Sequence, residues 1–232
     1  MIVVVTGASQ GIGQAIAETF SERDEAKVAL VARTDSKLEA VAASCRERGG
    51  TPLVVPTDVT DDAAVADMAD AVRDEWGTPD VLVNNAGAFT YAPLDELTLD
   101  GFRDQIDVNL TGAFAVTQAF LPAMRERESG HLFFMGSVAS LMAYPGNAGY
   151  CAAKHGLRGL ARTVRAETKD EGIRVTTVLP GATDTPTWEG VDLPKERFMA
   201  PEDVAQSVVD AYHLSHRTVL EELLLRPQEG DV

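Results

Sequence analysis

Two patterns of hydrophobic and polar positions alternate along the chain: short continuous apolar runs and longer amphipathic stretches. The apolar runs predict strands, because the strands of a parallel sheet are buried on both faces and carry few polar residues. The amphipathic stretches predict helices between them. Predicted strands cover residues 2–6, 27–32, 52–56, 80–84, 131–135, 173–179 and 220–225, and predicted helices cover residues 11–22, 35–48, 61–76, 98–128, 149–170 and 201–214, with a bend or an early end at Pro122.

This alternation is typical of βαβ units, which build a parallel sheet with helices on both faces. The predicted fold class is therefore α/β, a Rossmann-type doubly wound, mostly parallel sheet of about seven strands. A length of 232 residues is ordinary for one such domain, and no Ser/Gly run, Pro-rich tract or repeat divides the chain. We expect a single domain over residues 1–232.

The composition argues against several classes of protein. The formal net charge of −16 disfavours a nucleic-acid partner, because phosphate binding needs a basic surface. The opening segment MIVVVTG lacks the basic lead of a signal peptide, and no run approaches a membrane-spanning length, so we expect no membrane contact and a cytoplasmic location. The cysteines, Cys45 and Cys151, are too few for a disulfide framework and lack metal-site spacing, so no metal site is predicted.

A glycine-rich segment, TGASQGIG at residues 6–13, joins the first predicted strand to the first predicted helix. Glycines permit a tight turn there and let the backbone approach a pyrophosphate, while the helix N-terminus presents unpaired N–H groups. The position between a strand and a helix favours a dinucleotide site over a plain glycine turn. The candidate cofactor-binding residues of this segment are Gly7, Ser9, Gln10, Gly11, Ile12 and Gly13.

The end of the second predicted strand bears on the choice of cofactor. An acidic residue at this position binds the ribose 2′-hydroxyl of NAD, whereas an arginine accommodates the 2′-phosphate of NADP. The chain has Arg33 here, with Thr34 and Ser9 as candidate helpers, which favours NADP(H). The alternative is that Arg33 is a solvated residue and that Asp35 serves the ribose of NAD(H), which leaves NAD(H) possible.

The segment YCAAK places Tyr150 and Lys154 on one face of a helix, one turn apart. A neighbouring cation favours a phenolate by roughly 1–3 pKa units, so Lys154 would make Tyr150 easier to deprotonate. These five residues alone are also compatible with an ordinary surface pair.

Together with these segments, the chain contains further short motifs in a characteristic order: Asp58–Val59, NNAG at residues 84–87, Asn109 in VNLTGAF, Ser137 in MGSVAS, and Pro180–Gly181. In this order and spacing the motifs resemble those of the short-chain dehydrogenase/reductase family, over residues 2 to about 186. The spacing TGxxxGxG and the modest length resemble its single-domain branch. The resemblance implies an NAD(P)-binding oxidoreductase domain.

The resemblance also implies a catalytic tetrad of Asn109, Ser137, Tyr150 and Lys154. Tyr150 would act as general acid or base, Lys154 would assist it, and Ser137 would hydrogen-bond the carbonyl oxygen. Asn109 would hold a water near Lys154. Taken alone, Ser137 could simply cap a turn and Asn109 could face a core water. The further cofactor contacts that the resemblance implies are Asp58, Val59, Asn85, Ala86, Gly87, Tyr150, Lys154, Pro180, Gly181 and Thr185.

Substrate choice is expected to depend on the loop after Ser137, on Ala88 and Phe89, and on a short lid at about 182–199. These segments are apolar and aromatic, which favours a hydrophobic or modestly polar carbonyl. Trp188 and Phe198 could equally do no more than pack the lid against the body.

The predicted function is NADP(H)-dependent interconversion of a ketone or aldehyde and a secondary alcohol by hydride transfer. The alternative is a non-catalytic dinucleotide-binding regulatory protein of the same fold. Such a regulator would be expected to lose Tyr150 or Lys154, and this chain has both. By resemblance we also expect a homodimer or a homotetramer, with a small-molecule carbonyl or alcohol as substrate.

Overall fold

A computed structural model describes residues 1–190 and 192–230 of the chain. Its centre is one sheet of seven strands in the order β3-β2-β1-β4-β5-β6-β7, with every neighbouring pair parallel. The predicted α/β doubly wound fold and its single domain are thereby confirmed. The strands are β1 (Ile2–Thr6), β2 (Lys27–Ala32), β3 (Thr51–Pro56), β4 (Val81–Asn84), β5 (Gly130–Met135), β6 (Ile173–Pro180) and β7 (Glu222–Leu225).

Helices connect successive strands and cover both faces of the sheet. One buried apolar cluster includes Phe20 and Val208, and a second, on the other face, includes Phe120 and Leu157. Within the described ranges, no helix is long and apolar enough to cross a bilayer. The helices are α1 (Gly11–Asp24), α2 (Asp35–Glu47), α3 (Asp62–Trp76), α4 (Leu99–Ile106), α5 (Gly112–Arg127), α6 (Ala148–Thr168) and α7 (Pro201–His213).

The stretch predicted as one helix over 98–128 is helical throughout but changes its winding. Between α4 and α5 lies a π-helical turn, Asp107–Thr111, which contains Asn109. Of the bend or early end expected at Pro122, the early end is wrong, because α5 continues through this residue to Arg127, and the bend stays a prediction. Single π-helical turns are rare and often occur at functional sites, since the extra residue re-aims a side chain.

The short edge strand β7 is fixed to α6 by charged side chains. Glu222 accepts hydrogen bonds from two nitrogens of Arg158, each at 2.9 Å, and another from Arg162 at 3.0 Å. The pKa of Glu222 lies below its ordinary value, chiefly because of the Arg158 hydrogen bonds. Arg165 reaches Glu221 at 3.4 Å. The three arginines of α6 therefore form ion pairs with the two glutamates at the start of the last strand, and these pairs hold that strand against the helix that carries Tyr150.

One titratable side chain lies in the core, far from the carboxyl edge of the sheet. His131 on β5 is fully buried, its ring stacks on Phe133 at 4.0 Å between centroids, and its Nε2 lies 2.8 Å from the Thr176 hydroxyl. Burial lowers the pKa of His131 from 6.5 to about 2, and Arg174 contributes to the same direction. His131 is therefore neutral in the folded protein at neutral pH and in mild acid.

We expect His131 to make folding stability depend on pH. Below pH 6.5 the unfolded chain binds a proton at this residue, and the folded chain does not until about pH 2. The free energy of unfolding therefore falls by about 1.4 kcal/mol per pH unit below 6.5 from this residue alone. Urea unfolding of wild type and of His131→Gln between pH 7 and 4.5 measures it: the variant should show a shallower pH slope, whatever its absolute stability. Parallel slopes would contradict the assignment.

Candidate active site

The residues singled out in the sequence follow the carboxyl ends of five strands. The glycine turn follows β1, Arg33 follows β2, Asp58 follows β3, and the NNAG segment ends β4 and continues past it. Ser137 comes just after β5. The chain order reverses between β1 and β4, and open α/β sheets bind ligands at such a switch point.

The glycine turn brings β1 into very close contact with α1. Gly7 has φ +66 and Gly11 has φ +57, values that favour glycine over other residues. A Cβ on Gly13 would lie 2.3 Å from the Gly7 carbonyl oxygen and 2.4 Å from Nδ2 of Asn85. No side chain other than hydrogen fits at Gly13 without displacing the turn.

The N-terminus of α1 fits an anionic group. Gln10, the N-cap residue, is extended and makes no side-chain cap to the helix, and the first turn contains no acidic residue. The first N–H groups of α1 are therefore open and carry the positive end of the helix dipole. These features suit the pyrophosphate of a dinucleotide.

Hydrogen bonds from the NNAG segment hold the glycine turn in place. The Thr6 hydroxyl accepts from the backbone N–H groups of Asn85 and Ala86 at 2.9 and 3.0 Å. The side-chain amide of Asn85 donates to the carbonyls of Thr6 and Gly7 at 2.9 and 3.2 Å. Asn85 thus fixes the backbone of the glycine turn, where the cofactor is expected to bind.

The residues expected near the adenosine end lie beside the ends of β2 and β3. Arg33 is exposed, and Thr34 is the N-cap of α2 without a side-chain cap. Asp58 accepts hydrogen bonds from the backbone N–H and the hydroxyl of Thr60, at 3.0 and 2.7 Å. These hydrogen bonds lower the pKa of Asp58, and the charge of Arg33 acts in the same direction. Val59 packs against Gly112 at the start of α5, where a Cβ would lie 2.8 Å from Cγ2 of Val59.

Ser137 and Tyr150 meet through their hydroxyl groups. Their hydrogen bond acts on the pKa of the phenol and lowers it. Ser137 also caps a short 3-10 turn, Val138–Ser140, since its Oγ accepts from the N–H of Ala139 at 3.1 Å. The capping role and the contact with Tyr150 are therefore compatible.

Lys154 is buried beneath Tyr150. Its exposed fraction is 4%, its Nζ donates to the carbonyl of Met135 at 2.8 Å, and Nζ lies 5.5 Å from the centroid of the Tyr150 ring. Burial lowers the pKa of Lys154 to about 8. The ordinary surface pair is thereby excluded, because one partner is inside the protein.

The pKa of Tyr150 differs from the expectation drawn from YCAAK. It is raised, because burial of the phenol outweighs the hydrogen bond with Ser137. Lys154 was expected to lower the pKa of Tyr150, but it does not contribute to this shift. Its ammonium donates to the Met135 carbonyl instead. In the protein alone, Tyr150 is therefore a protonated phenol at neutral pH.

Asn109 lies on the same side of Gly87 as Lys154. A Cβ on Gly87 would lie 2.8 Å from Oδ1 of Asn109 and 3.6 Å from Nζ of Lys154. Nδ2 of Asn109 donates to the carbonyls of Ala88 and Gln105, at 2.8 and 2.9 Å. Its buried Oδ1 has no partner among the described residues, so this oxygen is available to accept a hydrogen bond close to the lysine.

An apolar wall, formed by aromatic residues of the segment after β4, lies beside the ring of Tyr150 and the loop before α6. The ring of Phe89 meets that of Tyr150 edge to face, with centroids 5.3 Å apart. Tyr91 packs over Gly146, where a Cβ would lie 2.2 Å from the Tyr91 ring. The N–H of Ala92 donates to the Gly146 carbonyl at 2.9 Å, which joins this wall to the loop that leads into α6.

The expected lid at 182–199 folds back on itself, and its residue Val191 lies outside the described residues. Thr183 and Met199 pair at its base, and Trp188 contacts Phe198 with ring centroids 5.2 Å apart. Thr185 packs on the glycine turn, with its Cγ2 3.1 Å from the position of a Cβ on Gly11. Pro180 ends β6, and the N–H of Gly181 donates to the Leu225 carbonyl at 2.8 Å.

Two residues near the site were missed by the sequence reasoning. Thr6 lies inside the glycine motif, so its position was a usable signal, but its link to the NNAG segment joins distant parts of the chain. Gln105 is buried on α4, and its Nε2 donates to the Thr90 carbonyl at 3.2 Å. No local pattern distinguishes this glutamine from an exposed one.

A doubly wound parallel sheet with an open helix N-terminus at its switch point defines the Rossmann-type class of nucleotide-binding folds. Within that class, the contact of Tyr150 with Ser137 and Lys154 matches the arrangement expected from the family resemblance. The chain belongs to the short chain dehydrogenase family, whose model matches residues 1–195. The protein is accordingly an oxidoreductase of that family, and the resemblance drawn from its motifs is confirmed.

Similar proteins cover essentially the whole chain. A sepiapterin reductase of Chlorobaculum tepidum is 39% identical, over 100% of this chain and 98% of its own. An uncharacterized oxidoreductase of Staphylococcus epidermidis is 34% identical, over 97% and 96%. Among solved structures, an alcohol dehydrogenase of the archaeon Thermococcus sibiricus, complexed with 5-hydroxy-NADP, is 33% identical with a TM-score of 0.90, over 98% of this chain and 96% of its own. A metagenomic short-chain oxidoreductase in complex with NADP is 32% identical with a TM-score of 0.87, over 98% and 97%.

Proposed function

We propose that the protein interconverts a ketone or aldehyde and a secondary alcohol with NADP(H), and that Tyr150 is the general acid and base. The observation that carries the proposal is the contact set of Tyr150, whose hydroxyl meets Ser137 and whose ring lies over the buried amine of Lys154. A phenol held this way at the carboxyl edge of the sheet can exchange a proton with an oxygen bound beside it. When bound, the nicotinamide supplies or accepts the hydride.

The proton moves through Tyr150 in both directions. In reduction, the phenol is protonated at neutral pH, because burial raises its pKa, and it donates the proton to the carbonyl oxygen. In oxidation it must lose its proton, and the hydrogen bond with Ser137 lowers the pKa in the required direction. The Ser137 hydroxyl also stabilises negative charge on the substrate oxygen.

Lys154 and Asn109 return the proton to Tyr150. A pKa of about 8 leaves Lys154 mostly protonated at neutral pH, yet able to give up a proton more easily than an exposed lysine. The unpartnered Oδ1 of Asn109 accepts a hydrogen bond on the same side of Gly87. We assign these two residues to a proton path that ends at Tyr150.

The proposed cofactor is NADP(H) rather than NAD(H). Arg33 follows β2, at the position where a cation suits a 2′-phosphate. Two solved relatives are described as complexes with NADP or 5-hydroxy-NADP, which supports the same choice. Residues 182–199 are the proposed substrate lid. The proposed assembly in solution is a homodimer or a homotetramer.

The proposed substrate is a hydrophobic or modestly polar carbonyl compound. The wall beside Tyr150 contains Phe89 and Tyr91, which are 40% and 64% exposed, and Met142, in the loop after Ser137, is 45% exposed. Apolar side chains at a site select apolar substrate groups. One relative is named a sepiapterin reductase, so sepiapterin belongs among the substrates to be tested.

A turnover panel tests the proposal. Purified protein is assayed with NADPH and with NADH against aryl ketones, diketones, 3-oxoacyl thioesters, sugars, steroids and sepiapterin. We expect carbonyl-dependent oxidation of NADPH with at least one class, and a higher kcat/KM for NADPH than for NADH. Binding of NADPH without oxidation across the panel would favour the non-catalytic regulator.

A further inference from the structure

Two cations, Arg33 and Lys37, follow β2 within five residues in this acidic protein, beside the glycine turn. Arg33 follows β2, and Lys37 lies in the first turn of α2, four residues later. Nζ of Lys37 donates to Oε1 of Gln10 at 2.9 Å, which brings the amine across to the N-cap residue of α1. The lysine is thereby placed between the two helix N-termini that border the cleft.

Neither of these cations is paired with a carboxylate among the described residues, a property that Lys27 and Arg174 share. Most arginines of the chain pair with Asp or Glu side chains, as Arg23 does with Asp210 and Arg48 with Glu22. Over residues 1–190 and 192–230, neither Arg33 nor Lys37 lies at ion-pair distance from a carboxylate, although the chain has 36 acidic residues. Lys37 contacts a neutral amide instead.

The position of Lys37 is also electrostatically unfavourable in the protein alone. A cation in the first turn of a helix lies at the positive end of the helix dipole, which an anion would stabilise. Thr34 makes no side-chain cap, so the first N–H groups of α2 remain open. Asp35 lies in the same turn, Glu39 of this helix faces Arg46, and Asp58, which lies near Arg33, is engaged by Thr60. An anionic ligand at the start of α2 would offset the unfavourable placement of Lys37.

We infer that Lys37 is a second residue that binds the 2′-phosphate of the dinucleotide, held in place by Gln10 and acting with Arg33. The inference rests on the proposed function, since it concerns the cofactor proposed there. It makes Lys37 a determinant of the preference for NADP(H) over NAD(H), with no part in the chemistry at Tyr150. The phosphate would lie between the guanidinium of Arg33 and the ammonium of Lys37, above the start of α2.

Binding of two nucleotide fragments tests the inference without any turnover. Adenosine 2′,5′-bisphosphate carries the 2′-phosphate and 5′-AMP does not, so the ratio of their Kd values isolates that group. The ratio is measured by isothermal titration calorimetry for wild type, Lys37→Gln, Arg33→Gln and the matched control Lys169→Gln. Lys169 lies in the short turn between α6 and β6, and β6 is four strands away from β2 in the sheet.

We expect Lys37→Gln to weaken binding of the bisphosphate about 5-fold, since one exposed charge contact is lost, and to leave 5′-AMP unchanged. Lys169→Gln should match wild type. An unchanged ratio in Lys37→Gln, with a loss in Arg33→Gln, would overturn the role of Lys37 and leave the proposed cofactor standing. A wild-type protein that does not prefer the bisphosphate would overturn both. Thermal unfolding without ligand shows whether each variant is folded.

Discussion

Replacing Tyr150 by phenylalanine is expected to lower turnover about 10²–10⁴-fold, the range associated with loss of a general acid or base. The ring would remain in its edge-to-face contact with Phe89 and over the amine of Lys154, so the change is confined to the hydroxyl. We therefore expect the Kd of NADPH to stay close to that of wild type. Steady-state kinetics with the best substrate of the panel, together with fluorescence titration of NADPH, measures both quantities.

Tyr212→Phe is the matched control for this variant. Tyr212 lies on α7, where its ring packs against Phe20, so the substitution removes a phenol hydroxyl far from the carboxyl edge of β5. Its turnover should match that of wild type. Full turnover in Tyr150→Phe would remove Tyr150 from the mechanism, and loss of NADPH binding in that variant would indicate a role in shaping the cofactor site.

Replacing Gly13 by alanine is expected to disrupt the cofactor cradle. The new methyl group would lie 2.3 Å from the Gly7 carbonyl oxygen and 2.4 Å from Nδ2 of Asn85, so the turn and α1 must move apart. Overpacking of this kind costs about 1–3 kcal/mol of stability. If a similar free energy is lost from binding, the Kd of NADPH rises about 5- to 150-fold. Urea unfolding and titration with NADPH measure the two effects.

Gly159→Ala provides the control for this substitution. Gly159 is an exposed glycine within α6, and nothing lies within 4 Å of the position of its Cβ. Alanine there should stabilise the fold by about 0.5–1 kcal/mol, because glycine is unfavourable inside a helix. An equal, small effect of both substitutions on NADPH affinity would mean that the close contact of Gly13 does not shape the cofactor site.

The elements of the fold were predictable wherever a continuous pattern specified them. Strand β2 has the predicted bounds, and β1 does as well, because an apolar run buried on both faces has few alternatives. The last strand is shorter than predicted, since β7 begins at Glu222. The winding change around Asn109 was not predictable from periodicity, because a single π-helical turn shifts the pattern by only one residue.

The candidate site residues were predictable as a set, and their contacts only in part. The spacing of Tyr150 and Lys154 correctly placed both on α6. Their electrostatics could not be derived in the same way, because burial depends on residues brought from β5 and from the segment after β4. Met135, the hydrogen-bond partner of Lys154, is 19 residues away in the chain.

The sequence by itself determined the alternation of strands and helices, the glycine turn and the family, because each depends on residues that are neighbours in the chain. Only the tertiary structure decided that Tyr150 has a raised pKa and Lys154 a lowered one, since both directions follow from burial by other elements. It also decided that Lys37 reaches Gln10 from 27 residues away. Solvent exclusion and charge proximity are properties of the folded arrangement, and a linear pattern does not contain them.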